Sequence, residues 1–111
     1  MVTKDSFLDY GRQKTFERLE IPGLGEIFLR KLSGAGRDRY VAAMAREPEL
    51  MSSELVVDCV CDENGKRIFS VDDVRAVAQM PMRMIEPIVD AVNEANRIGP
   101  ADEAIEEAEK N

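Results

Sequence analysis

Four residues, Pro22-Gly23-Leu24-Gly25, constrain this chain more than any others. Proline presets the backbone angle of the first corner of a tight turn, and glycine accepts the positive φ that follows. The flanking runs Thr15–Ile21 and Glu26–Leu32 are apolar with partial alternation, so residues 14–32 are predicted to form a β-hairpin. Two strands alone are marginal in water. The hairpin must therefore pack on helices or pair with another chain.

The remaining chain is punctuated as helices. Ser33 is placed to cap a helix running to about Arg46, with Tyr40, Val41, Met44 and Ala45 on one side and Pro48 ending it. The dense apolar segment from Leu50 to Cys61 fits a helix buried on more than one side, with a β-branched strand as the alternative. Asp62-Glu63-Asn64-Gly65 is a turn. Ser70-Val71-Asp72-Asp73 has the form of a capping box opening a short helix to about Met80. Pro81 suits the first turn of the next helix, along which Ile85, Ile88, Val89, Val92 and Ala95 recur at helical spacing to about Ile98, before Gly99-Pro100. The expected fold class is mainly α: a single small helical domain over residues 1–100 carrying an N-terminal β-hairpin. An acidic C-terminal segment, helical or fraying, follows at 101–111.

At 111 residues the chain has enough length for one core and not for two. It contains no histidine, which excludes a His-based triad, a His zinc ligand and imidazole acid–base chemistry. Its two cysteines, Cys59 and Cys61, form C-x-C without a second pair, so they are expected to be reduced thiols acting as small hydrophobes. The net charge is −7, against binding to nucleic acid by phosphate neutralisation. That charge is uneven. Residues 1–46 hold nine basic and six acidic side chains, a balance of +3, which leaves −10 for residues 47–111. Opposite charges at opposite ends favour head-to-tail encounter between copies. No apolar run reaches the roughly 18 residues of a membrane span, and Met1–Tyr10 lacks the apolar core of a signal peptide, so a cytosolic protein without a membrane partner is expected.

Apparent ligand motifs fail on spacing. Aligning Gly65 with the sixth position of a calcium loop puts Val60 and Val71 where carboxylates are needed. Ser33-Gly34-Ala35-Gly36 lacks the lysine and spacing of a phosphate loop. Asp72 and Asp73 suit the positive end of a helix. No metal, cofactor or catalytic set is expected, and the chain is read as a non-enzyme. Met80, Met82 and Met84 offer flexible, polarizable side chains suited to an adaptable contact surface.

The central block has a further pattern: Leu32-Ser33 before a helix with Arg37-Asp38-Arg39-Tyr40, then Val57-Asp58-Cys59-Val60, Asp62-Glu63-Asn64-Gly65-Lys66, Phe69-Ser70 and Asp72-Asp73-Val74. An amphipathic helix ending near Ala95-Asn96 follows. Over roughly residues 24–98 the chain resembles the tail assembly chaperones of long-tailed bacteriophages with flexible, non-contractile tails. The resemblance implies a mostly helical protein that binds the tape measure protein, helps recruit major tail tube subunits and self-associates into rings or spirals. It implies presence in the host cytoplasm during assembly and absence from the mature virion. The family commonly makes a longer form by ribosomal frameshifting, and Glu109-Lys110-Asn111 can be encoded by a slippery A-AAA-AAC heptamer.

Ile27, Phe28 and Leu29 are the expected subunit contacts, and Met80, Met82 and Met84 the expected partner contacts. A rival reading is an acidic adaptor or inhibitor that imitates nucleic acid through Asp102, Glu106 and Glu107.

Overall fold

A computed structural model describes residues 1–12 and 15–96. The expected helix end near Ile98, the Gly99-Pro100 stop and the acidic segment 101–111 lie outside the described residues. In chain order the elements are α1 (Lys4–Gly11), β1 (Glu17–Ile21), β2 (Gly25–Leu29), α2 (Gly34–Arg46), α3 (Met51–Cys59), β3 (Val60–Cys61), α4 (Val74–Ala78) and α5 (Met82–Asn96). Short 3-10 turns at Pro48–Leu50 and Val71–Asp73 lead into α3 and α4.

The hairpin forms where Pro22 and Gly23 require it. Gly23 has φ +86°, Leu24 N–H donates to Ile21 O at 3.0 Å, and Glu17 pairs with Leu29 at the open end. Arg18 and Glu26 form an ion pair across it. The sheet has a third strand that the apolar pattern did not separate from the preceding helix. The run from Leu50 to Cys61 is both predicted alternatives in succession: helix α3 to Cys59, then two residues that pair antiparallel with Phe28 and Leu29. The strand order β1-β2-β3 makes β2 the centre of the sheet.

Helix α3 is the middle of the molecule. All seven residues from Ser53 to Cys59 are buried, and the core gathers Leu55, Val56 and Val57 with Ile21, Ile27 and Leu29 of the sheet, Val74 and Val77 of α4, and Ile88 and Val92 of α5. Burying one such aliphatic side chain stabilises by about 1.5–3 kcal/mol, so this cluster is the main driving force for the fold. The stripe expected on α5 packs inward, with Ile85 and Val89 flanking Ile88 and Val92. Both expected serine caps form: Ser33 Oγ accepts from Gly36 N–H, and Ser70 N–H donates to Asp73 Oδ2 at 2.8 Å in a capping box. The Asp62 turn closes on itself, Asp62 Oδ1 accepting from the N–H groups of Asn64 (2.8 Å) and Lys66 (3.0 Å).

Helix α2 corrects one expectation. Its inward stripe is Gly36, Tyr40 and Ala43, whereas Val41, Met44 and Ala45 are exposed. The apolar residues alone indicated the wrong side, because the element beneath α2 presents a carboxylate to Gly36, and that fixes the rotation of the helix. Helix α1 was not expected at all; Thr3 and Ser6 build a reciprocal capping box at its start. No helix among the described residues is long and apolar enough to cross a membrane.

Candidate functional site

The predicted contact residues separate into buried and exposed sets. Ile27 and Leu29 face inward from β2 and are buried in the core, so their side chains are unavailable for subunit contacts; this corrects the expectation for those two. Side chains alternate along a strand, and Phe28 therefore lies on the other face of the sheet, half-buried. Met80 and Met84 pack partly buried against the core, while Met82, at the start of α5, is 76% exposed.

The feature that sequence reasoning missed is a buried charged cluster where α2, α3 and the Arg67 segment meet. Asp58 is 1% exposed in the last turn of α3. Ser33 donates to it twice, from N–H to Oδ2 at 2.8 Å and from Oγ to Oδ1 at 2.9 Å. Arg39 Nη2 reaches Oδ1 at 3.2 Å and Arg67 Nη2 at 3.4 Å, while Arg67 Nε donates to the Asp58 carbonyl at 2.9 Å. Glu54, one turn earlier on α3, lies 3.8 Å from Arg39 Nε. Two carboxylates thus face two guanidiniums, which is what allows the charges to be buried. The same Ser33 hydroxyl accepts from Gly36 N–H at 3.0 Å, so one side chain caps α2 and ties it to α3. A negative group beneath the start of α2 also complements the helix dipole.

The approach is close enough that position 36 must be glycine. A Cβ there would overlap the Asp58 carboxyl group. The available signal was Asp58 itself, a lone acid inside Leu55-Val56-Val57-Asp58-Cys59-Val60-Cys61, since a charge in an apolar run needs a cationic partner.

Burial raises the pKa of Glu54 above its ordinary 4.5, the nearby Arg39 opposing the shift and Asp58 adding to it. A carboxyl with a raised folded-state value holds its proton more tightly when folded, so its ionisation lowers stability as pH rises through and above 4.5. The expected result is that Glu54→Gln is relatively less damaging at neutral pH than below pH 4.5, measured by urea unfolding of both proteins across that range. A difference that grows towards neutral pH would show that the Arg39 pair, and not burial, dominates.

Both thiols are buried, and burial pushes Cys59 up to about 12, helped by the Asp58 charge; burial raises Cys61 as well. At pH 8 a thiol of that value is ionised on the order of one part in ten thousand. Cys59 and Cys61 are expected to resist a thiol reagent in the native protein and to react at once in guanidinium; rapid native labelling would contradict this placement.

Outside the cluster the surface falls into a notch of about 340 Å³. Ala35, Val57, Phe69 and Val71 are its apolar lining, and Arg39, Arg67 and Asp58 its charged lining. The guanidiniums are each about one-third exposed there, at 37% and 38% of the side chain. The serines at its rim, Ser33 and Ser70, are occupied in helix capping. The notch therefore presents charge and apolar area side by side.

No family model matches the chain, and no curated protein is similar to it. Among solved structures, the fold is similar to that of the bacteriophage HK97 tail assembly chaperone. The TM-score is 0.53 at 23% identity, over 70% of this chain and 85% of that one.

Proposed function

We propose that this protein is a bacteriophage tail assembly chaperone, acting by protein–protein contact without catalysis. The observation that supports it best is the fold shared with the HK97 chaperone across most of both chains. A fold hosts many functions. Here the reading also agrees with the sequence pattern over residues 24–98 and with the contact surfaces left open: Met82 on α5, half-buried Phe28, and the notch beside Asp58.

In this proposal the chain binds the tape measure protein in the host cytoplasm and shelters its apolar positions, which otherwise aggregate. It helps bring tail tube subunits to that complex, self-associates, and is left out of the finished virion. A frameshifted longer form, read through Lys110-Asn111, belongs to the same proposal.

Co-expression with the tape measure protein encoded in the same gene cluster tests it. A soluble complex that forms only when this chain is present is the expected result. A gene neighbourhood without tail genes, together with salt-sensitive capture of a DNA-handling protein, would replace this reading with the acidic adaptor.

A further inference from the structure

The turn Asp62-Glu63-Asn64-Gly65 carries the sequence's single Asn–Gly pair; Asn93 and Asn96 are followed by Glu94 and Arg97. An asparagine side chain is open to attack by the main-chain nitrogen of the next residue, because that attack closes a five-membered ring. Glycine is the least hindered successor, having no Cβ and a freely rotating backbone. The nitrogen must first lose its proton, and the asparagine must turn its side chain onto it. Asn64 is exposed, so water reaches its carboxamide.

The main chain around Asn64 is held in place. Gly65 N–H donates to Asp62 O at 3.0 Å, and Asp62 Oδ1 accepts from the N–H groups on either side, those of Asn64 and Lys66. Arg30 Nη1 donates to Gly65 O. Gly65 itself is buried, at φ +82°, with the Phe16 ring so close that a Cβ there would overlap it. The nucleophilic nitrogen is thus occupied as a donor, and its residue is clamped between Asp62, Arg30 and Phe16. An N–H engaged in a hydrogen bond gives up its proton less readily, and a fixed peptide plane does not rotate towards the side chain. Reaction therefore requires the turn to open, and such local opening costs less than global unfolding.

We propose that Asn64 is a self-modification site gated by this clamp, converting to aspartate and isoaspartate whenever Gly65 leaves Phe16 and Arg30. The Gly65 nitrogen loses its proton and bonds to Asn64 Cγ. The bond from Cγ to the side-chain nitrogen breaks, and ammonia leaves with that proton. Water, the sole co-reactant, then opens the cyclic imide at either carbonyl. One opening gives aspartate; the other gives isoaspartate, whose main chain runs through the former side chain and is one carbon longer. Either product adds a negative charge beside Asp62 and Glu63, and isoaspartate also shifts Gly65 away from its hydrogen-bond partners. Loss of ammonia makes the step one-way, so it marks chains whose turn has stood open. This chemistry does not depend on the function proposed above.

The test incubates the full-length protein in mildly alkaline buffer, folded and in urea, and follows residue 64 by peptide mass spectrometry with isoaspartate detection. In urea Asn64 is expected to convert faster than Asn93 and Asn96; equal rates at the three positions overturn the assignment of the site. In the folded protein its rate is expected to fall by at least about tenfold, since the turn must open first. Equal folded and unfolded rates overturn the gate. Phe16→Ala takes the ring off Gly65 and is expected to raise the folded rate by about threefold or more. Arg30→Lys keeps the charge and gives up the bond to Gly65; it is expected to act in the same direction, and it replaces Phe16→Ala should that variant not fold. Circular dichroism verifies the fold of each variant. An unaltered rate in a folded variant overturns the clamp.

Discussion

Replacing Asp58 by alanine is expected to remove about 3–5 kcal/mol of folding free energy, the usual loss when one partner of a buried ion cluster is deleted. The change would leave Arg39 and Arg67 facing each other without their shared carboxylate, and the Ser33 N–H and hydroxyl without an acceptor. A small domain holds roughly 5–15 kcal/mol in total, so much of the Asp58→Ala population would be unfolded or close to it at 37 °C. Urea titration followed by circular dichroism measures the loss. Asp58→Asn, which keeps an acceptor of the same shape, is expected to lose less. A deficit below about 1 kcal/mol for alanine would mean that water already solvates the arginines, as it does at surface pairs.

The second large effect comes from the glycine pressed against that carboxylate. In an open helix Gly→Ala stabilises by about 1 kcal/mol. At position 36 the sign reverses. The new methyl would overlap Asp58, whose carboxyl is held by Ser33 and two arginines and has no free direction in which to turn. Overpacking of this kind costs about 1–3 kcal/mol. The two substitutions are also expected to couple. In an Asp58→Ala background the space above residue 36 opens, and Gly36→Ala should become neutral or mildly stabilising. A double-mutant cycle reads this directly, with an interaction energy of about 1–3 kcal/mol expected. Additive losses would show that α2 shifts as a body to admit the methyl.

Several elements are legible in the sequence because their signals are local. Pro22-Gly23 makes a turn whatever surrounds it, since ring closure and a missing Cβ act within the residue itself. Ser33 and Ser70 cap helices through amides three residues away or fewer. Ile88 and Val92 turn inward as their spacing requires. The illegible features depend on what lies across the interior. Val41 and Met44 on α2 are as apolar as an inward face should be, yet Gly36 and Ala43 face the core because only a bare glycine admits the Asp58 carboxyl. Ile27 and Leu29 suggest a contact surface while the hairpin is considered by itself. A third strand, Val60–Cys61, pairs with β2, and α3 and α5 cover that face. The open surfaces are elsewhere, on α1, at Met82 and beside Asp58.

What the amino-acid sequence by itself determined is the elements with local signals: a hairpin turned at Pro22-Gly23, helices begun at Ser33 and Ser70, an amphipathic final helix, and a chain without histidine chemistry. Only the tertiary structure decided which side of α2 is buried, where the charge of Asp58 is neutralised, and which apolar residues remain open to a partner. The reason is physical. Turns and caps are settled by atoms a few bonds apart, whereas burial of a charge is settled by whichever distant side chains the packed core brings within about 3 Å of it.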